Sequence, residues 1–160
     1  MVLVRPRNPA DIPACVEVLS EVHESDDYPH RWPRDPAGWL TPENMVAAWI
    51  AENDNGIVGH VVIVDQLGAL WVSRLFARPG HRGSLVGESL LRQACIGGAT
   101  MLDVIEQSSK AIELYERTGW TLVDTRPAAW TMSDGRRPVE RIYRSDPYSN
   151  QLAKAVPTQR

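Results

Sequence analysis

Between Leu75 and Trp120 the apolar residues switch twice from strand spacing to helical spacing, each time across a short polar turn. The first unit leaves a strand at Arg78-Pro79, turns through Arg82-Gly83, and enters a helix over Gly83 to Ile96. There Leu85, Val86, Leu90, Leu91 and Ala94 share a face before Gly97-Gly98 ends the helix. The second unit runs from a strand over Thr100 to Ile105 into a helix over Ser108 to Arg117. Ala111, Ile112, Leu114 and Tyr115 form its inner stripe, and Gly119 closes it. A helix with one apolar stripe must bury it against another element, and here strands stand on either side, which predicts an α/β domain.

The remaining chain fits that class. Val2 to Arg5 reads as a first strand, and Pro9 to Glu24 as a helix with Asn8 as its N-cap and proline at its first position. Tyr28 to Pro42 carries prolines and tryptophans without periodicity and reads as a long ordered loop. Met45 to Ala51 and Ile57 to Asp65 are strands joined by a hairpin at Asn55-Gly56, where glycine tolerates the positive φ of the turn. Ala69 to Ala77 is a further strand, and Trp120 to Thr125 and Val139 to Tyr143 are a closing pair. The order β-α-β-β-β-α-β-α-β-β predicts a mixed sheet with helices on both faces. Residues 1–144 are expected to form one domain and 145–160 a polar tail.

A chain of 160 residues is one domain by length, large enough to bury a core without a disulfide or a metal. Seventeen Lys and Arg against 20 Asp and Glu leave a formal charge of −3, which argues against a nucleic-acid groove. Cys15 and Cys95 stand far apart with no histidine at ligand spacing, so neither a disulfide framework nor a metal site is expected. No apolar run approaches a membrane span or a signal peptide, and the expectation is a cytoplasmic protein.

Both strand-to-helix turns have chemical potential. The first N–H groups of a helix lack internal partners and the helix dipole favours negative charge there, so the turn at Arg82 to Gly87 suits a pyrophosphate. The plain alternative is that glycine and proline serve only the turn. In the second unit Ser108 suits an N-cap, and Tyr115 is either a functional phenol or a core tyrosine with its hydroxyl in water.

Taken in this order, the two units resemble the GNAT superfamily of N-acetyltransferases. The first of its motifs is matched by Arg82-Gly-Ser-Leu-Val-Gly87 after a strand ending before Pro79. The second is matched by Ser108-Ser-Lys-Ala-Ile-Glu-Leu-Tyr115 with Gly119-Trp120. The resemblance spans roughly Val2 to Tyr143 and implies a mostly antiparallel central sheet. The sequence departs from the family where Leu85 stands for a glycine of the phosphate loop and Ser108 for an asparagine. The segment from Gly87 to Leu102 is also short.

The resemblance implies an enzyme that transfers acetyl from acetyl-CoA to an amine through a tetrahedral intermediate, without a metal. Backbone groups at Leu75, Phe76 and Ala77 would hold the pantetheine arm and polarise the thioester carbonyl. Arg82, Gly83, Ser84, Leu85, Val86 and Gly87 would hold the pyrophosphate, with Ser108 nearby. Tyr115 would protonate the departing thiolate. The strand positions where relatives often carry a glutamate base hold Ser73 and Arg74. His60 is the substitute base, since imidazole titrates in the right range, or else a packed strand histidine. A water relay ending on Asp26 or Asp27 is a further route.

The acceptor would meet the Pro- and Trp-rich loop. Tyr28, Trp32 and Trp39, with Trp130 from the far end of the chain, suit an apolar wall, and the acids from Glu21 to Asp27 suit a cationic amine. Alternatively the tryptophans pin the loop and the acids are a solvated helix end. The expected partner is a small-molecule or peptide amine, and a homodimer through edge strands stays open. The competing function is a non-catalytic acyl-CoA-binding module on the same fold.

Overall fold

The run from Ile57 to Val64, apolar except for His60, is buried without interruption, as a strand covered from both sides must be. A computed structural model of the chain describes residues 1–81 and 85–145 and places this run at the middle of a seven-stranded sheet. The strands are β1 (Leu3–Pro6), β2 (Met45–Asn53), β3 (Gly56–Gln66), β4 (Ala69–Ala77), β5 (Met101–Ile105), β6 (Trp120–Pro127) and β7 (Val139–Ser145). They lie in the order β1-β2-β3-β4-β5-β7-β6, and every neighbouring pair is antiparallel except β4 with β5.

The helices divide between the faces. On one side lie α1 (Ile12–Asp26) and the one-turn α2 (Pro36–Trp39), with Cys15, Val18, Leu19 and Val22 packed on Ile50, Ile57 and Phe76. On the other lie α3 (Val86–Ile96) and α4 (Ser109–Arg117), with Leu90, Leu91, Ala94 and Tyr115 packed on Val61, Ile63, Val72 and Leu102. The expected α/β class, mixed sheet and two-sided helix layers are all present.

The differences from the sequence reading are local. The first helix begins with a 3-10 turn over Pro9–Asp11. Pro13 has no N–H to offer the Pro9 carbonyl, so Ile12 bonds it instead. The long loop contains α2, held by the Asp35 carboxylate accepting the Gly38 N–H at 3.1 Å. Residues 82–84 and 146–160, which include half of the expected phosphate turn and nearly all of the expected tail, lie outside the described residues. Among the described residues no helix is long and apolar enough to cross a membrane.

Glycine decides one contact in the core. A Cβ at Gly59 on β3 would lie 2.7 Å from both Leu90 Cδ1 and Val86 Cγ1, so α3 sits closer to the sheet than any side chain there allows.

Candidate active site

β4 and β5 pair only at Trp71 and Met101, backed by the Thr100 N–H donating to the Leu70 carbonyl at 2.9 Å. Beyond that point the two parallel strands separate. The reason lies on the other edge of β4. His60 pairs with Phe76 but Val62 pairs with Ser73, so Arg74 and Leu75 together face Val61. This β-bulge places Arg74 at φ +52°, a left-handed conformation, and bends β4 away from β5. The β4 edge from Val72 to Phe76 therefore has no strand partner on the β5 side among the described residues. A cleft of about 1390 Å³ opens there.

Two kinds of wall meet in the cleft. From the α3–α4 side come Leu85, Gly87, Ser108 and Tyr115; from the α1–α2 side come Asp26, Tyr28, Trp39 and Arg74, with Trp130 from the β6–β7 connection. The α1–α2 and β6–β7 segments are joined through His30. Its Nε2 accepts the Ser133 backbone N–H at 2.7 Å, so the proton sits on Nδ1, which donates to Asp27 at 2.8 Å. Its ring also packs on Trp130 at 5.9 Å.

Tyr115 keeps only 7% of its surface accessible and packs against Trp120 and Tyr143 at ring separations of 6.5 and 6.2 Å. Burial, followed by the field of Tyr28 and of Asp103, pushes its pKa well above an ordinary phenol. Tyr115 is thus a neutral donor throughout the physiological range. Burial likewise pushes Tyr28 up to about 12.

The cleft floor carries charged groups that strand alternation hints at but does not place. In Met101-Leu-Asp-Val-Ile105, Leu102 and Val104 face α3 and α4, so Asp103 points the other way, into the cleft. Desolvation and then the nearby Glu140 carboxylate push Asp103 above the usual carboxylate range, although 42% of its side chain stays accessible. Arg126 stands 3.1 Å from Glu140 and 3.7 Å from Asp103. Arg74 lines the cleft from β4.

Of the residues singled out by sequence, Tyr115, Leu75, Phe76, Ala77, Leu85, Gly87, Ser108, Asp26, Tyr28 and Trp130 line this cleft. Phe76 does so from a side chain rooted in the α1 core. Leu85 adopts φ +65° at the N-terminus of α3, the conformation a glycine would take without strain, with its side chain 57% exposed. Ser108 occupies the N-cap of α4, but its hydroxyl makes no capping bond. Arg82, Gly83 and Ser84 lie outside the described residues. Three residues do not reach the cleft. Val86 is fully buried in the core under α3, and Trp32 packs on His23 at 5.4 Å.

His60 is the third. It is fully buried and stacked on Phe76 at 4.9 Å. Arg7 Nη1, always a donor, lies 2.9 Å from Nε2, so that nitrogen accepts and the proton resides on Nδ1, which donates to the Arg74 carbonyl at 2.9 Å. Burial pushes its pKa down to about 4. No lone pair is left for an incoming amine, and the imidazole serves instead to hold the bulge.

Acetyl-CoA fits the groups that are present. The unpaired β4 edge offers the donors and acceptors that an extended amide-bearing chain requires, and the cleft continues past Leu85 and Gly87 at the start of α3. Among the described residues no cluster of His, Cys, Asp and Glu is placed to hold a metal.

Comparison with known proteins agrees with this geometry. A family model described as "Acetyltransferase (GNAT) domain" matches residues 45–122. Comparison with curated protein sequences finds no match. Among solved structures, the chain is similar to the ribosomal-protein-S18-alanine N-acetyltransferase of Escherichia coli, with a TM-score of 0.71 and 17% identity, covering 91% of this chain and 93% of that one. It is also similar to the ribosomal-protein-alanine N-acetyltransferase of Brucella melitensis, with a TM-score of 0.68 and 18% identity over 89% and 98% of the two chains. A third is a spermidine N-acetyltransferase chimera from Vibrio cholerae SpeG and hSSAT, with a TM-score of 0.71 and 15% identity over 92% and 97%. At these identities the structures speak for the fold. Together with the match to the family model across the hairpin, the bulged strand and both strand-to-helix units, they show that the chain has the fold of the GNAT acetyltransferases, with the acetyltransferase domain model matched over residues 45–122.

Proposed function

We propose that the chain transfers the acetyl group of acetyl-CoA to a primary amine of a small molecule or peptide. One observation carries this reading: the unpaired β4 edge and the buried Tyr115 phenol border one cleft, which is open toward a second, charged wall. Acetyl-CoA would supply the thioester. The β4 backbone N–H groups beyond the bulge would polarise its carbonyl, since fixed dipoles in a dry cleft stabilise developing negative charge strongly.

The Tyr115 hydroxyl would hold a proton where the thiolate departs. A thiol has a pKa of about 8.5 in water, below that of a phenol. The same desolvation that raises Tyr115 acts on a thiolate formed beside it, which narrows the gap. An amine arriving as ammonium, with a pKa of about 10.4, must lose a proton. Asp103 takes that role in place of the missing strand glutamate, because it faces the acceptor side and its pKa is raised. His60 does not, because both its nitrogens are occupied within the protein.

The test is calorimetric titration of the purified chain with acetyl-CoA, with CoA as control, followed by a free-thiol assay over a panel of amines. Micromolar binding and amine-dependent thiol release are expected. Absence of binding at millimolar acetyl-CoA overturns the reading, and binding without turnover on any amine favours the non-catalytic module.

A further inference from the structure

Arg74 is the one cleft residue whose charge the bulge itself positions. Its Nε–H donates to the Trp39 carbonyl at 3.0 Å, its guanidinium carbon lies 4.1 Å above the Trp39 ring, and Nη1 reaches the Ser73 hydroxyl at 3.4 Å. Among the described residues no carboxylate stands within 4.0 Å of it. Two other arginines of the cleft region are paired: Arg117 with Glu88 at 3.2 Å and Arg126 with Glu140 at 3.1 Å. Burial pushes the Arg74 pKa down, yet a guanidinium starts so high that it remains charged.

A half-buried cation without a counter-charge is costly, and a protein retains one where a ligand supplies the charge. The Arg74 fork is already stacked and oriented by Trp39, so little rotamer freedom remains to be lost on binding, and its planar donors match a carboxylate. Asp103 stands on β5 across the splay, beyond ion-pair distance, and feels Arg74 through its field. A cation on one wall and an anion on the other suit a molecule carrying both charges.

We infer that Arg74 is the anchor for a carboxylate on the substrate, so that the cleft takes a carboxylate-bearing amine of the amino-acid type in preference to a polyamine. This rests on the acetyltransferase reading for the identity of the cleft. The carboxylate has two chemical sources, the acceptor amine or the acyl chain of a dicarboxylic acyl-CoA, and the experiment separates them.

N-acetylated amino acids and their primary amides are titrated calorimetrically into the wild type, R74Q and R74K, which reads carboxylate recognition without turnover. Charged hydrogen bonds of this kind predict acids bound about tenfold to a hundredfold tighter than amides by the wild type. The preference is expected to vanish in R74Q and to survive in part in R74K. In parallel, kcat/KM is measured for amino acids, amino amides and spermidine with acetyl-CoA, and for amino amides with succinyl-CoA.

Acid-over-amide preference with acetyl-CoA, abolished in R74Q, assigns the carboxylate to the acceptor. An Arg74-dependent preference for succinyl-CoA over acetyl-CoA assigns it to the acyl chain and removes the acceptor assignment. Equal binding of acids and amides, a preference kept in R74Q, or spermidine as the favoured acceptor overturns the inference while leaving acetyl transfer intact. Arg74-dependent discrimination in a chain that binds no acetyl-CoA leaves Arg74 as a carboxylate anchor and removes the acetyltransferase reading. Circular dichroism melts of both variants report whether each remains folded.

Discussion

His60 donates its Nδ1 proton to the Arg74 carbonyl at 2.9 Å, linking the central strand to the residue that bends its neighbour. Its other nitrogen accepts from Arg7, which also donates to the Leu40 carbonyl at 2.7 Å and so ties the α2 connection to the same point. A neutral imidazole is required at both contacts, because Nε2 accepts only when it carries no proton. The bulge that opens the cleft thus rests on one uncharged side chain.

This makes stability depend on acid. His60 titrates near 4 when folded and near 6.5 when unfolded, so between those values the unfolded chain binds the extra proton. The stabilisation is complete above about pH 6.5 and is lost as pH falls toward 4, at up to about 1.4 kcal/mol per pH unit and about 3 kcal/mol in all. Urea unfolding across this range is expected to show that slope, and H60Q to flatten it while lowering stability at pH 7.5. A slope unchanged in H60Q refutes the assignment.

Tyr115→Phe removes the phenolic proton but keeps the ring between Trp120 and Tyr143. Loss of a positioned general acid costs about 10²-fold or more in rate. Acetyl-CoA affinity by calorimetry is expected to stay within about twofold, with the loss confined to kcat in the thiol-release assay. A wild-type rate in this variant removes Tyr115 from the chemistry.

Leu85→Gly relieves a left-handed leucine at φ +65° and clears an exposed side chain from the cleft wall. The strain relieved is on the order of 1 kcal/mol, and the added chain entropy of glycine offsets most of it, so the melting temperature should barely move. Acetyl-CoA binding is expected to tighten severalfold; weaker binding would show that Leu85 contributes contacts of its own.

Gly59→Ala places a methyl 2.7 Å from Leu90 and Val86, where α3 lies on β3. Overpacking at such a contact costs about 1–3 kcal/mol. Thermal or urea unfolding is expected to show that loss, and a neutral outcome would mean that α3 shifts freely on the sheet.

Element order was legible along the chain. The strand limits at Ala69 and Ala77 coincide with the structure, as does the end of α4 at Arg117, because side-chain period, caps and glycine stops act within a few residues. The line of residues on the α3–α4 side of the cleft, from Leu85 to Tyr115, was readable for the same reason. The bulge was not. No glycine or proline marks Arg74, and its φ of +52° follows from two β4 residues facing one on β3. His60 read as the leading substitute base but more readily as a packed or solvated strand histidine, and the partner that decides it, Arg7, lies 53 positions away.

The sequence by itself therefore determined the elements, their order, the two strand-to-helix units and Tyr115 on an inward helical face, all set by interactions between residues near in the chain. Tertiary structure alone decided where β4 leaves β5, which histidine is silent, and that Arg74 and Asp103 face one another across the opening. Strand separation depends on pairing between distant segments, and protonation depends on the solvent and charges that folding removes or brings close. Neither quantity exists until the chain has closed on itself.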